Sequence, residues 1–255
     1  MQTPDHIADL LKRGALFVVN HSAGKDSQAM TIMLRQLVPA AQLVVIHADL
    51  GRVEWAGNLD HIRETIGDLP LLVCRNPNKT FLEMVEHRGM WPSPKHRQCT
   101  SDLKRGPIER TIRHYLKLQP EHGGLVVNCM GIRADESADR AKRTPFRHNA
   151  RNSKAGREWY DWMPVFDWTE AQVFAAIAEA GQTPHWAYAE GMTRLSCVFC
   201  IMASAADLRT AARLNPDLYL EYVETEKRIG HTLSMSGRGL EEVTGIAAAP
   251  RAKAA

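Results

Sequence analysis

Apolar positions along the chain fall into short continuous runs separated by stretches with helical spacing. Four runs, Leu16–Val19, Leu43–His47, Leu71–Cys74 and Leu125–Met130, are short and largely β-branched or aliphatic, which predicts buried strands. Between the first two, Met30, Met33, Leu34 and Leu37 recur at i, i+3, i+4 and i+7, predicting a helix over 27–38. Similar spacing predicts helices over 56–66, 80–87 and 102–118. Strands alternating with helices at this interval imply an α/β fold with a doubly wound, mostly parallel sheet. Ligands of such sheets sit beyond the C-terminal strand ends.

The periodicity fails from Arg140 to Arg157, where seven Lys or Arg and no acid occur (140, 142, 143, 147, 151, 154, 157). Two readings stand for this stretch: a solvated loop, or a mobile lid over a polyanion. Apolar residues resume at Trp159, Trp162 and Pro164–Phe166. The T-x-x-Q box Thr169–Gln172 then opens a helix running through Ala180 to Gly181. Two further helices are expected over 205–214 and 217–229. The expected organisation is a nucleotide-binding α/β domain over 1–158, a cysteine-containing helical region over 159–245 and a frayed tail over 246–255.

The bulk numbers change this picture little. With 44% hydrophobic and 24% charged residues over 255 positions, a sizeable core is affordable, and a net charge of +3 selects no partner class. The first residues do not read as a signal peptide, and no stretch approaches the roughly 20 apolar residues of a membrane span. Five cysteines in that setting point to the reducing cytoplasm, as ligands or free thiols.

The candidate chemistry begins at His21-Ser22-Ala23-Gly24-Lys25-Asp26-Ser27, directly after the first strand and before the first long helix. Small residues at Ser22, Ala23 and Gly24 let a phosphate approach the main chain, the helix N-terminus attracts it, and Lys25 and the hydroxyls add donors. The common P-loop spacing is absent. The second strand ends in His47-Ala48-Asp49, where Asp49 suits Mg²⁺ or a ribose hydroxyl, or alternatively a turn cap. The fourth leads into Gly131-Ile132-Arg133-Ala134-Asp135-Glu136-Ser137-Ala138-Asp139-Arg140, whose arginines are forked donors for a triphosphate, or members of an ion-paired helix face.

S-A-G-K-D-S resembles the S-G-G-K-D-S pyrophosphate loop of the PP-loop ATP pyrophosphatases, with Ala23 at the first glycine. G-x-R-x-x-E-S-x-x-R resembles a segment of sulfate adenylyltransferase small subunits and PAPS reductase-like proteins, and Trp162–Thr169 resembles their W-x-P-[LI]-x-D-W-T element. The resemblance spans roughly 15–205 and implies a five-stranded, mostly parallel sheet. It further implies ATP or an adenylyl nucleotide held by Ser22, Ala23, Gly24, Lys25, Asp26, Ser27, Asp49, Lys104, Arg133 and Arg140, with Lys25, Asp26 and Arg133 in catalysis and Mg²⁺ on the phosphates.

Cys74 and Cys129 read as buried strand-end thiols. Cys197-Val198-Phe199-Cys200 is a C-x-x-C, open to redox, zinc or iron–sulfur readings. Assimilatory adenylyl-sulfate reductases carry C-C-x-x-x-K-x-x-P and a later C-x-x-C around a [4Fe–4S] cluster. Here Cys99, Lys104 and Pro107 keep that register and Thr100 replaces the second cysteine. Three thiolates on a cluster with one open iron suit sulfur transfer, as in tRNA thiolation relatives; His96 with Cys99, Cys197 and Cys200 instead makes a zinc set.

No cysteine follows Cys200, so the covalent sulfo-intermediate of the reductases is not expected. The expected function is an ATP-dependent sulfurtransferase acting on DNA (phosphorothioation) or RNA (thiolation), with a cysteine desulfurase or other sulfur donor as partner and no membrane. A PAPS or adenylyl-sulfate reductase is the runner-up. A metal-stabilised, ATP-responsive nucleic-acid-binding module is the non-enzymatic alternative.

Overall fold

The computed structural model describes residues 4–249. In chain order these form α1 (Asp5–Lys12), β1 (Leu16–Asn20), α2 (Lys25–Leu37), β2 (Leu43–Ala48), α3 (Asn58–Ile66), β3 (Leu71–Cys74) and α4 (Phe81–Arg88). There follow α5 (Gly106–Lys117), β4 (Leu125–Met130), α6 (Ala138–Ala141), β5 (Phe146–His148), β6 (Glu158–Trp162), α7 (Glu170–Glu179), α8 (Ala205–Leu214), α9 (Pro216–Ile229) and α10 (Leu240–Thr244). Contacts divide the chain into two compact units. One comprises the residues up to His47, Gly57–Cys74 and Ile108–His185; the other comprises Ala48–Ala56, Arg75–Pro107 and the chain from Trp186.

The first unit is built on a sheet of order β3-β2-β1-β4-β6-β5. β1 pairs in parallel with β2 and β4, β4 with β6 likewise, and β5 runs antiparallel to β6. Every residue of β2 and the first four of β1 are buried, as helices on both faces of a parallel sheet require. On one face α2 packs Ala29 and Ile32 against Val173 and Ile177 of α7. Winding proceeds from β1 through β2 to β3 and then resumes on the other side at β4. The β1/β4 boundary is therefore the topological switch point.

The sheet has six strands, where five were expected. β6, beyond the domain boundary expected at residue 158, belongs to the same sheet as β1 and β4. The basic stretch is not a bare loop, although Lys142, Arg143, Arg147, Arg151 and Lys154 are exposed. β5 lies inside it, and three of its arginines pair with acids: Arg140 with Glu136, Arg147 with Asp161, and Arg151 with Glu109. A one-sequence periodicity scan misses β5 because only Phe146 of its three residues is apolar.

Those pairs reach into the core. Asp161 is 5% exposed and accepts from Asn128 Nδ2, Arg147 Nη2 and Asn149 Nδ2, each at 3.0 Å. Asn128 Oδ1 in turn accepts from Asn20 Nδ2 at 2.7 Å, so one polar chain joins β1, β4 and β6. Arg147→Ala removes the cation from a buried carboxylate and leaves its two amide donors. It is expected to cost about 1–3 kcal/mol, read as a lower urea midpoint; an unchanged midpoint would return Arg147 to the solvated surface.

α2 starts at Lys25, two residues earlier than expected, on an extended Gly24 (ψ 156°). The helix expected over 102–118 divides at Gly106 into a π-helical turn, Cys99–Arg105, and α5. Pro107 has no N–H to continue an α-helical ladder across this joint.

The second unit gathers α4, the π-turn, α8, α9 and α10 around stacked rings. Tyr222 lies 5.1 Å from Trp91 and 5.0 Å from Phe199 between ring centroids, and Phe81 stacks on Tyr222 at 6.2 Å. Of the tail expected to fray from 246, residues 246–249 are described and tied down. Tyr219 Oη donates to Ile246 O at 2.7 Å, and Ala248 N donates to Glu241 Oε1 at 2.8 Å. Positions 250–255 lie outside the described residues. Among the described residues no helix is long and apolar enough to cross a membrane.

Candidate functional site

Each unit carries one group of candidate residues. In the first, β1 ends at Asn20 and the chain turns through His21–Gly24 into α2 at the switch point. Ser22 N donates to Ser27 Oγ (3.1 Å), and Ser27 Oγ donates to Gly24 O (2.8 Å), which closes the loop on the first helical turn. Ala23 is held at φ +63°, the left-handed region that favours glycine. His21 Nδ1 accepts from Ala23 N at 3.1 Å and braces that conformation. Burial, with smaller effects from His61 and His47, lowers the His21 pKa to about 3, so the ring stays neutral and can accept. No side chain caps the N-terminus of α2, whose first-turn amides lack intrahelical acceptors. An uncapped helix N-terminus behind a small-residue turn is suited to an anion.

Lys25 is 4% exposed; its Nζ lies 3.1 Å from Glu170 Oε1 and 5.8 Å from the Phe174 ring centroid. Beside it, Arg133 is 3% exposed. Its Nε donates to Asp26 Oδ1 at 2.5 Å and its Nη1 to Asp135 and to Trp168 O. Burial raises the Asp26 pKa against the lowering pull of Lys25 and Arg133. Arg133 thus clamps the first turn of α2 in place of presenting a donor to solvent, and Arg140 pairs with Glu136. Gly131, at the end of β4, approaches so closely that an added Cβ would sit 2.9 Å from Ser27 N and 3.0 Å from Asp26 C and O.

The second unit holds the rest. Asp49 Oδ1 accepts from Gly51 N at 2.7 Å and Oδ2 from Arg75 Nη2 at 2.6 Å, which is the turn-capping arrangement. Cys99, Cys197, Cys200 and Lys104 come together. Burial pushes the Cys197 thiol up to about 12, opposed by Lys104, and burial raises Cys99 as well. The Lys104 ammonium is favoured above all by Cys197, then by Cys200, Glu54 and Cys99, against burial. Phe199, between the two cysteines of the C-x-x-C, is fully buried, and Val198 N bonds Val53 O at 2.9 Å.

Tyr222 is fully buried, its hydroxyl has no hydrogen-bond partner, and its pKa is raised by burial first and then by Cys197, Cys200 and Cys99. His96 is exposed and lines a cavity with Arg88 and Trp91; the charges acting most on the thiols are Lys104, Glu54 and one another. Among the described residues no three His, Cys, Asp or Glu side chains stand in a metal-holding arrangement. Cys74 and Cys129 are buried, and burial raises the Cys129 thiol further.

Sequence reasoning named the loop, the arginines and the three cysteines but not His21 as a brace, Glu170 as the partner of Lys25, the contact at Gly131 or the Tyr222 hydroxyl. Only Gly131 left a signal, as the glycine that opens a motif at a strand end. The surroundings of Lys25 and Tyr222 depend on which distant side chains meet the site, and the His21 brace depends on a ring orientation that spacing does not encode.

A Staphylococcus haemolyticus adenosine 5'-phosphosulfate reductase is 24% identical over 189 residues, covering 73% of this chain and 71% of the relative. An uncharacterized Methanocaldococcus jannaschii protein is 27% identical over 212 residues, 82% of this chain and 47% of the relative. The chain thus spans about half the length of that protein. The crystal structure of Candida auris phosphoadenylyl-sulfate reductase in its phosphate complex shares the fold, with TM-score 0.50 and 15% identity over 77% of this chain and 96% of that one. The profile of the phosphoadenosine phosphosulfate reductase domain runs from the second residue of β1 to just past the C-x-x-C, residues 17–203. With the parallel sheet and the loop at its switch point, that match places the chain in the phosphoadenosine phosphosulfate reductase domain family.

Proposed function

We propose that the chain is an ATP pyrophosphatase that activates an acceptor for sulfur transfer. The observation that carries this reading is the uncapped N-terminus of α2 behind the His21–Ser27 turn at the switch point. An acceptor oxygen attacks the α-phosphorus, the bond to the β-phosphate oxygen breaks, and pyrophosphate leaves against the loop amides and the Ser22 hydroxyl. Hydrosulfide then displaces AMP, which departs with the acceptor's oxygen while sulfur takes its place. Asp26, fixed by Arg133, orients the first turn, and Mg²⁺ brought in with ATP would neutralise the phosphates. A nucleic acid is the acceptor class that this sulfurtransferase reading carries.

Three cysteines beside a lysine are the donor types that a thiolate-held iron–sulfur group takes, although the described side chains do not stand in a metal-holding arrangement. Cys99, Cys197 and Cys200 would hold it, Lys104 would offset its negative charge, and the unpartnered Tyr222 hydroxyl is a further buried donor. When bound, such a group supplies a site for sulfide. His96, on the cavity side, would serve only the zinc alternative. The relative from Staphylococcus favours a second reading, adenylyl-sulfate reduction.

Two assays separate the readings. Incubation with ATP, Mg²⁺ and a nucleic-acid acceptor is expected to release pyrophosphate, and Ser27→Ala, which opens the loop closure, to slow it at least about a hundredfold. Release of sulfite from adenylyl sulfate with a thiol reductant, and no pyrophosphate from ATP, would establish the reductase instead. Neither product would leave a nucleotide-binding module.

A further inference from the structure

The second unit contains a cavity of about 580 Å³ that the proposed chemistry does not use. Its size lies in the range of small-molecule pockets. Arg88, His96, Arg97 and His231 line it, and no carboxylate does. Arg88 Nη1 and Gln98 Oε1 are both buried and without hydrogen-bond partners, so two of the lining residues keep one unanswered cationic donor and one unanswered acceptor just behind the cavity surface. Leaving such groups unpaired is costly, and a ligand toward which these side chains turn recovers that cost. Asp102, the carboxylate on which Arg88 acts, does not line the cavity and is itself held by Lys79 at 2.8 Å and Ser101 at 2.8 Å.

The remaining walls are apolar. Trp91 forms part of the lining, 3% exposed, with its indole N–H already donated to His231 O at 3.0 Å. Met90 and Met235, 42% and 65% exposed, supply flexible thioethers. An inorganic anion alone would leave these surfaces in water, and an apolar ligand would leave Arg88 unanswered.

We propose that this cavity binds a tetrahedral oxyanion, phosphate or sulfate, carried on a small organic group. Arg88 and Arg97 take the oxyanion, Gln98 accepts a hydroxyl or protonated oxygen, and the methionines cover the organic part.

The test uses the full chain with methionine methyl groups labelled with ¹³C, and phenyl phosphate and inorganic phosphate as probes. Phenyl phosphate is expected to shift the Met90 and Met235 methyl resonances, assigned by Met90→Leu and Met235→Leu, and to bind at least about tenfold tighter than inorganic phosphate. Arg88→Ala should weaken binding about tenfold or more. Gln98→Glu, which places a negative charge in the cavity without removing the arginines, should do the same. Ser27→Ala should leave the binding intact, which keeps this outcome separate from failure of the nucleotide loop. Absent shifts, equal affinity for the two probes, indifference to both cavity variants, or loss of binding in Ser27→Ala would each overturn the proposal.

Discussion

Gly131→Ala is expected to abolish most pyrophosphate release, by about a hundredfold or more, in a chain that still folds. Gly131 does not occupy the left-handed region, so alanine is acceptable to its own backbone. The obstacle is steric. The new Cβ would lie 2.9 Å from Ser27 N and 3.0 Å from the Asp26 carbonyl carbon and oxygen, and all three are main-chain atoms that cannot rotate away. Either β4's exit or the first turn of α2 must move. That turn presents the amides proposed to receive the leaving pyrophosphate, where a displacement near 1 Å costs about a hundredfold. Overpacking of this kind costs about 1–3 kcal/mol in stability, well below what unfolds most domains. Steady-state pyrophosphate release, read beside a thermal melt, checks both halves. Wild-type turnover would show that the loop yields without consequence.

The same contact marks how far the sequence was legible. The strand–turn–helix around His21–Ser27 was readable because each part is local: four apolar residues, three small ones, then a 3.6-residue period. The three cysteines were grouped through spacing shared with a known family, and the structure brings Cys99, Cys197, Cys200 and Lys104 within electrostatic reach of one another. Whether they hold a metal was not legible, and the described geometry displays no metal-holding set.

Partnerships were hidden wherever they join residues far apart in the chain. Arg133 reads as a phosphate donor from its motif, yet Asp26, 107 positions earlier, takes its Nε. Arg147 reads as one cation in a basic run until Asp161 is found buried beside it. The basic run looked structureless because its strand is three residues long and pairs only at the sheet's edge.

Arg133→Ala is expected to destabilise the first unit by about 3–5 kcal/mol at neutral pH and to lose that penalty in acid. The wild-type pair is nearly enclosed: the Arg133 side chain is 4% exposed and that of Asp26 18%. Removing the guanidinium leaves the carboxylate with little water and no close cation except Lys25, which is shared with Glu170. The pH dependence follows from Asp26. Burial already raises its folded pKa above the ordinary carboxylate value, and Arg133 is one of the groups holding it down. Without Arg133 the folded pKa rises further, so the folded variant binds a proton that the unfolded chain releases. The penalty is therefore full above the raised folded pKa and shrinks as pH falls through it toward the ordinary carboxylate range. Urea unfolding of wild type and variant across pH 5 to 8 should show the two curves converging at the acid end. Asp26→Asn in the Arg133→Ala background should remove most of the pH dependence and recover part of the stability. A penalty that stays constant with pH would mean that Arg133 acts through its bonds to Asp135 and Trp168 O, and that Asp26 is not the charge it serves.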